Sequence, residues 1–212
     1  LWYKLMKKLL TLLLSLFLLS SSSVFADDIS DFTIEGISVG DSLLDYMTEE
    51  EILEEIERNK NDYYYLNEPN KYADIYLYKN LKTYGAIVSL IKNNSTNQYV
   101  SIKNEKYTIL SLRGLIDFTE DFDSCIVKRD EVVEVLSNMF PDVQKTEWNV
   151  EHLFDPSGDS IIDGFFFEFN SGAIAKVFCI DWEKNFRIKN NVNDVLTVEL
   201  GSKETKSWLN DY

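Results

Sequence analysis

The sequence predicts an α+β fold in which an antiparallel sheet is packed by one or two helices. Most of its apolar segments have the length and composition of strands, and turn residues separate them. It shows no regular strand–helix–strand alternation, which a parallel sheet would need. The order of predicted elements also repeats faintly at an offset of about 80 residues, after the triplets Ile34-Glu35-Gly36 and Leu112-Arg113-Gly114. A tandem duplication of an α-β-β unit, with halves 27–105 and 106–212, is therefore an alternative description within this class.

The N-terminal segment has the pattern of a secretory signal peptide. Met6 is followed by two lysines and by the apolar run Leu9–Leu19. A stretch ending at Ala26 comes next, with small or aliphatic residues at the positions that signal peptidase reads. We expect translation to start at Met6 and cleavage to follow Ala26, which leaves residues 27–212 as a single compact domain. The apolar run is shorter than the roughly 20 residues that span a bilayer. The sequence therefore predicts a periplasmic or secreted protein without stable membrane insertion after cleavage.

The mature chain is strongly acidic. The full sequence has a net charge of −15, and loss of residues 1–26 removes three lysines and no acid, which leaves −18. Nucleic acid and anionic lipid would be repelled by such a surface, so we expect neither as a partner.

The first predicted elements include one amphipathic helix. Asp31–Ile37 is predicted to be a short extended stretch, and Ser42–Met47 to make one or two helical turns. Thr48 and the three glutamates after it form a capping box, which begins a helix that we expect to end near Asn59. The next strands are predicted at Asp74–Lys79, Tyr84–Ile91, Gln98–Ile102 and Tyr107–Phe118.

The second half begins with another predicted helix. Apolar residues at helical spacing predict it over Lys128–Phe140, and Pro141 ends it. The remaining predicted elements are strands at about Thr146–Leu153, Ile161–Phe169, Ala173–Asp181 and Val195–Leu200, and a turn of helix at Glu204–Leu209.

The strands around Asn170-Ser171-Gly172 predict a hairpin on which the core depends. Gly172 provides the positive φ that the last position of a three-residue loop requires. A two-residue loop would pair Phe167 with Lys176, so we expect the three-residue register. That register places Cys179 on one dry face with three pairs of large and small residues: Phe169 opposite Ala173, Phe167 opposite Ala175 and Phe165 opposite Val177.

The chain contains the segments IEGISVGDSLLDYMTEEEI near its start, FCIDW in the hairpin and SWLNDY at its end. These segments resemble an uncharacterised family of small exported proteins of marine alphaproteobacteria. The resemblance covers most of the mature chain and consists of core and turn residues. It implies export and one compact domain, and it carries no catalytic residue to this chain.

Cys125 and Cys179 are the two cysteines of the chain. An even number favours a disulfide in an oxidising compartment. Cys125 leads into the helix that we expect to cover the hairpin face with Cys179. A redox pair would have C-x-x-C spacing instead, so we predict a structural disulfide that closes a loop of about 55 residues and stabilises the fold by about 4 kcal/mol.

Residues that carry chemistry are sparse. His152 is the only histidine, which excludes zinc sites built from two histidines, and no nucleophile motif accompanies it. Asp155–Asp163 has oxygens at alternate positions like a calcium loop, but Ser160 and Phe166 replace the required glycine and glutamate. We therefore predict no metal, no cofactor and no catalytic residue, and a plain turn here. A second acidic cluster is predicted to be a solvated turn before the helix: Asp117, Glu120, Asp121 and Asp123.

Two functions remain open. Missing catalytic motifs favour a non-catalytic protein that binds another protein or a small ligand, either through a sheet face or through the candidate residues Tyr63, Tyr64 and Tyr65. The alternative is a periplasmic or secreted hydrolase that uses acidic residues. Two carboxylates in a deep cleft would favour the hydrolase, and a flat apolar sheet face would favour the binding protein. Tyr63–Tyr65 could also belong to a sugar platform, but packing over the sheet is the favoured interpretation. The other aromatic residues of such a platform would be Tyr72, which is predicted to share their loop, and Trp148, Trp182 and Trp208 elsewhere.

The signal pattern gives the first testable prediction. Protein recovered from exporting cells should begin at Asp27, because small or aliphatic residues occupy the positions before the cut that signal peptidase reads. Intact-mass measurement checks this. An uncleaved N-terminus in the membrane fraction would instead make Leu9–Leu19 part of a membrane anchor.

Overall fold

The computed structural model describes residues 29, 32–61, 71–93 and 106–209 of the chain. Within these ranges the chain forms four α-helices and seven β-strands. The helices are α1 (Glu49–Asn59), α2 (Phe122–Met139), α3 (Lys184–Asn190) and α4 (Lys203–Leu209). The strands are β1 (Tyr72–Leu77), β2 (Ala86–Lys92), β3 (Thr108–Asp117), β4 (Gln144–Glu151), β5 (Ile161–Glu168), β6 (Ile174–Asp181) and β7 (Val195–Gly201).

All seven strands belong to one antiparallel sheet with the order β1-β2-β3-β7-β6-β5-β4. The predicted α+β class, an antiparallel sheet packed by helices, is confirmed. α1 packs against β1, α2 mainly against β6, and α4 against β3 and β7. We call the sheet face that shares one buried core with Ile52 of α1 and Leu136 of α2 the inner face, and the opposite one the outer face. None of the described helices is both long enough and apolar enough to cross a membrane.

The predicted capping box of α1 is present. Thr48 Oγ1 accepts a hydrogen bond from Glu51 N–H at 3.2 Å, and Glu51 Oε2 accepts one from Thr48 N–H at 3.0 Å. At the other end of the helix, Asn59 donates to Glu55 and to the backbone carbonyl of Asp74, each at 3.1 Å. The helix is therefore fixed at both ends, and its last residue is tied to β1.

β5 and β6 form the predicted hairpin in the predicted register. Gly172 has a φ of +87°, and its N–H closes the loop by donating to Phe169 O at 2.9 Å. Cys179 is fully buried on the inner face, as predicted. The three predicted pairs of large and small residues are also present: Phe169 opposite Ala173, Phe167 opposite Ala175 and Phe165 opposite Val177.

The helix over this hairpin is longer than predicted. α2 begins at Phe122 and not at Lys128, because the carboxylate of Asp121 accepts from Ser124 N–H and caps it. Cys125 therefore lies in the first helical turn instead of ahead of the helix. Val133 and Leu136 are the deeply buried apolar residues of its later turns. Val132 and Met139, which belong to the apolar spacing that predicted the helix, are only partly buried.

The predicted disulfide is confirmed. Cys125 and Cys179 are bonded, with 6.1 Å between their Cα atoms and a separation of 54 positions along the chain. The bridge ties the start of α2 to the inner face of β6. Both residues are buried, at 1% and 0% exposure, so the crosslink is part of the core.

Three other sequence interpretations need correction or stay open. Asp31–Ile37 is not extended throughout, because Ile34 and Ile37 exchange backbone hydrogen bonds across a tight turn. Helix α3 was not predicted. The strand predicted at Gln98–Ile102 lies outside the described residues. The triplet Leu112–Gly114 lies within β3 whereas Ile34–Gly36 forms that turn, so these triplets do not correspond, and the duplication itself stays a prediction.

Removal of the crosslink should destabilise the protein only under oxidising conditions. We expect Cys125→Ser to lower the free energy of unfolding by about 4 kcal/mol without reductant, because the bridge no longer constrains the unfolded chain. With reductant the difference from the unmutated protein should largely disappear. Denaturant unfolding under both conditions measures it, and detection of two free thiols in the unfolded, unreduced protein would contradict it.

Candidate binding face

The outer face of β4, β5 and β6 carries an apolar surface. Side chains alternate between the two faces of a strand, so the even-numbered residues of these strands lie opposite the buried core. Trp148 is aligned with Gly164 and, across it, with Phe178. The next aligned row contains Thr146, Phe166 and Lys176. We call this surface the aromatic face: Trp148, Ile162, Phe166 and Phe178.

Gly164 allows the two largest rings of this face to meet. A Cβ atom at this position would lie 2.6 Å from Val177 O and 2.8 Å from Phe178 Cα, so no side chain fits. The rings of Trp148 and Phe178 cover the glycine with their centroids 5.8 Å apart and their planes tilted by 48°. Adjacent aromatic rings commonly adopt such offset arrangements.

The aromatic face forms an open groove with a volume of about 500 Å³. This volume falls in the range of small-molecule sites, roughly 300–1,000 Å³. Its ring-bearing side chains are half-buried. One end of the groove is polar and contains Gln144, Thr146, Glu168 and Lys176.

The charged groups at this polar end are already paired. Lys176 Nζ lies 3.1 Å from Glu199 Oε1, and Lys206 Nζ lies 2.5 Å from Glu168 Oε1. The Lys206 ammonium also lies 6.0 Å from the centre of the Phe166 ring, at the outer limit of a cation–π contact. The groove therefore has no net charge of its own, in contrast to the acidic chain as a whole.

A second groove, of about 430 Å³, lies between α1 and the end of β1 and contains three glutamates and three tyrosines. Two of its carboxylates, those of Glu51 and Glu55, already serve the fold. Glu51 caps α1 and pairs with Lys79 at 2.7 Å, and these interactions lower its pKa to about 2. Glu55 accepts from Arg58, Asn59 and Tyr76 N–H. The general acid of a glycosidase needs a raised pKa, whereas the pKa of Glu51 is lowered.

His152 lies against an aromatic cluster. The centre of its ring is 4.0 Å from that of Trp182 and 5.4 Å from that of Phe154. Burial lowers its pKa, and the nearby charge of Asp155 only partly opposes this. Its Nδ1 accepts a hydrogen bond from Phe154 N–H at 3.2 Å. In a catalytic relay, this nitrogen would instead be hydrogen-bonded to a carboxylate that orients the ring.

The calcium-like residues divide between two places. Asp155 accepts from both the N–H and the hydroxyl of Ser157 and of Ser160, and these hydrogen bonds lower its pKa to about 2. Asp163 lies on the inner side, where Arg129 and Asn149 donate to it. No group of three His, Cys, Asp or Glu side chains suited to a metal occurs among the described residues. The loop is a turn built on a carboxylate, and the lack of metal binding stays a prediction.

The second acidic cluster fixes the connection from β3 to α2. Asp117 accepts from Thr119 N–H at 2.8 Å, and Asp121 caps α2. Glu120 pairs with Arg187 at 2.8 Å, and Arg187 also donates to the buried Asp194 at 2.6 Å. Asp194 further accepts from the backbone N–H groups of Trp182 and Glu120. Asp117, Glu120 and Asp121 therefore hold parts of the fold in place.

The candidate ligand-binding residues Tyr63, Tyr64 and Tyr65 lie outside the described residues. Tyr72 belongs to β1 and is buried, so it is not part of a loop platform. Sequence reasoning treated Trp148 as one of several scattered aromatics and missed Ile162, Phe166 and Phe178. The signal was present, because FFFEF and VFCIDW are apolar at consecutive positions and such strands have apolar side chains on both faces.

No protein-family model, curated protein or solved structure matches this chain. The resemblance to exported alphaproteobacterial proteins stays a prediction.

The Asp155 turn should be sensitive to acid. Its carboxylate has a pKa of about 2 in the folded protein against an ordinary value of 3.8, so its stabilising effect is complete above pH 4 and is lost as the pH falls towards 2. We expect Asp155→Asn to lower Tm at pH 7 and the difference from the unmutated protein to narrow below pH 4. Thermal melts across this range measure it. Asp159→Asn, an exposed acid of the same loop, is the control, and a difference independent of pH would contradict the prediction.

Proposed function

We propose that the protein is a non-catalytic binding protein of the periplasm or the cell exterior, and that the aromatic face holds an apolar group of a small ligand or of a partner protein. The observation that carries this proposal is the shallow groove around Trp148, Phe166 and Phe178. Binding surfaces of this kind are apolar and aromatic with a few polar groups that fix orientation. As expected from the sequence, a flat apolar sheet face of this kind favours a binding protein over a hydrolase.

The chemistry of the groove favours an amphipathic ligand. Trp148 and Phe178 offer ring surfaces on which a flat or aliphatic group can pack. At the other end, Gln144 and Lys176 offer donors and Glu168 offers an acceptor. A ligand with an apolar body and one polar end therefore fits the groove better than a strongly charged one.

Location outside the cytoplasm rests on two supports. One is the signal pattern of residues 1–26. The other is the disulfide between Cys125 and Cys179, because such bonds persist in oxidising compartments and are rare in the cytosol.

The proposal is tested with Nile red, a neutral apolar dye that the acidic surface does not repel. We expect the unmutated protein to bind it and Trp148→Thr or Phe166→Thr to weaken binding about tenfold each, as loss of one aromatic contact costs about 1.4 kcal/mol. Threonine keeps the strand propensity of these positions. Fluorescence titration measures the dissociation constants.

Leu53→Gln provides the matched control. Leu53 is 50% exposed on α1, on a different element from the aromatic face, so dye binding should not change. Circular dichroism establishes that each variant is folded. Equal dye binding by all three variants would overturn the proposal.

A further inference from the structure

β4 is an exposed edge of the sheet. Seven of its eight residues are exposed and only Trp148 is half-buried. The opposite edge strand, β1, is buried at five of its six positions. α2 packs on β6, β7 and β5 and leaves β4 at the side. An edge strand of this kind presents a row of backbone groups to which another strand can pair.

The hydrogen bonds to β5 show which backbone groups point outwards. His152 N–H donates to Ser160 O at 2.8 Å, and the β4–β5 register continues from this pair without a shift. Because the direction of backbone groups alternates along a strand, even-numbered residues of β4 point towards β5. The N–H and C=O groups that point away from the sheet belong to Lys145, Glu147, Asn149 and Glu151.

We propose that two copies of this chain associate through antiparallel pairing of β4 with β4, with Trp148 on the two-fold axis. A closed symmetric dimer needs a surface complementary to itself. In this register Lys145 of each copy lies opposite Glu151 of the other, and Glu147 lies opposite Asn149. On the outer face Thr146 lies opposite Val150, and Trp148 lies opposite its own copy.

Neighbouring registers are less favourable. In an antiparallel pair, directly opposite residues lie on the same face of the sheet. Moving the two-fold axis from Trp148 to an adjacent residue therefore changes the partner of every residue of β4. With Glu147 on the axis, this acid would face itself. With Asn149 on the axis, Glu147 would face Glu151 twice. Like charges directly opposite one another are destabilising, and the Trp148 register avoids them while it pairs all of Lys145–Glu151.

The dimer would also extend the aromatic face. Trp148 and its symmetry mate form a pair without direct backbone hydrogen bonds, because their own backbone groups point towards β5. Such pairs bring Cβ atoms to about 4.5–5.5 Å, which places the two indole rings in contact. The grooves of the two copies then meet at the axis. The association goes beyond the proposed binding function and does not depend on it.

Sedimentation of the purified full chain at about 0.15 M salt tests the proposal, since charges more than about 8 Å apart are largely screened there. We expect a reversible dimer. Lys145→Glu replaces both cross-strand attractions by acid–acid pairs and should weaken association about tenfold. The double variant Lys145→Glu, Glu151→Lys reverses each pair and should restore it. A monomeric unmutated protein, or a dimer unaffected by Lys145→Glu, would overturn the proposal.

Crosslinking checks the register separately. Trp148→Cys brings two cysteines together on the axis and should give a covalent dimer on mild oxidation. Thr146→Cys places its cysteine opposite Val150 and should not. The native bridge is buried and leaves no free cysteine in the described chain. Equal crosslinking by both variants would exclude this register. Lys145→Glu should still bind Nile red, because Lys145 lies on the inner side, away from the groove. Dye binding by this variant therefore separates failure of the dimer from failure of the proposed binding function.

Discussion

The pairing of large with small side chains across the β5–β6 hairpin is the constraint on which the rest of the structure depends. Phe167 lies opposite Ala175 on the inner face. The small side chains of β6 leave space above the middle of the sheet. α2 fills it with Leu136 and Val133, and the disulfide fixes the start of the helix there. If large residues occupied both strands, the helix would have to move away and the core would open.

The same arrangement decides where a binding surface can form. α2 packs on the inner face of the hairpin, so it does not cover the apolar side chains that point the other way, and the rings of the aromatic face stay half-buried. The aromatic face therefore arises because these strands are apolar at consecutive positions and so carry apolar side chains on both faces. Several acidic residues, in contrast, serve in caps, turns and ion pairs. Asp155, Asp194 and Glu51 each hold backbone N–H groups in place.

Sequence reasoning succeeded where local chemistry determines structure. The hairpin register followed from Gly172 and from the alternation of side chains, and the start of α1 followed from Thr48. It failed where a single side chain extends an element. Asp121 caps α2, so the helix begins at Phe122, six residues before the predicted start at Lys128. Glu183 caps α3, a seven-residue helix whose apolar residues, Phe186 and Ile188, are too few to form a regular stripe. The groove was missed because sequence periodicity does not state which of two apolar faces a helix will cover.

The disulfide also divides the chain by its response to force. It encloses α2, β4, β5 and β6 in one covalent loop, whereas α1 and the strands β1, β2, β3 and β7 lie outside it. A chain stretched from its two ends would extend only the part outside the loop. The loop, which spans a separation of 54 positions, would stay out of the path of tension, and the stretched length would be shorter by roughly 180–190 Å than that of the reduced chain.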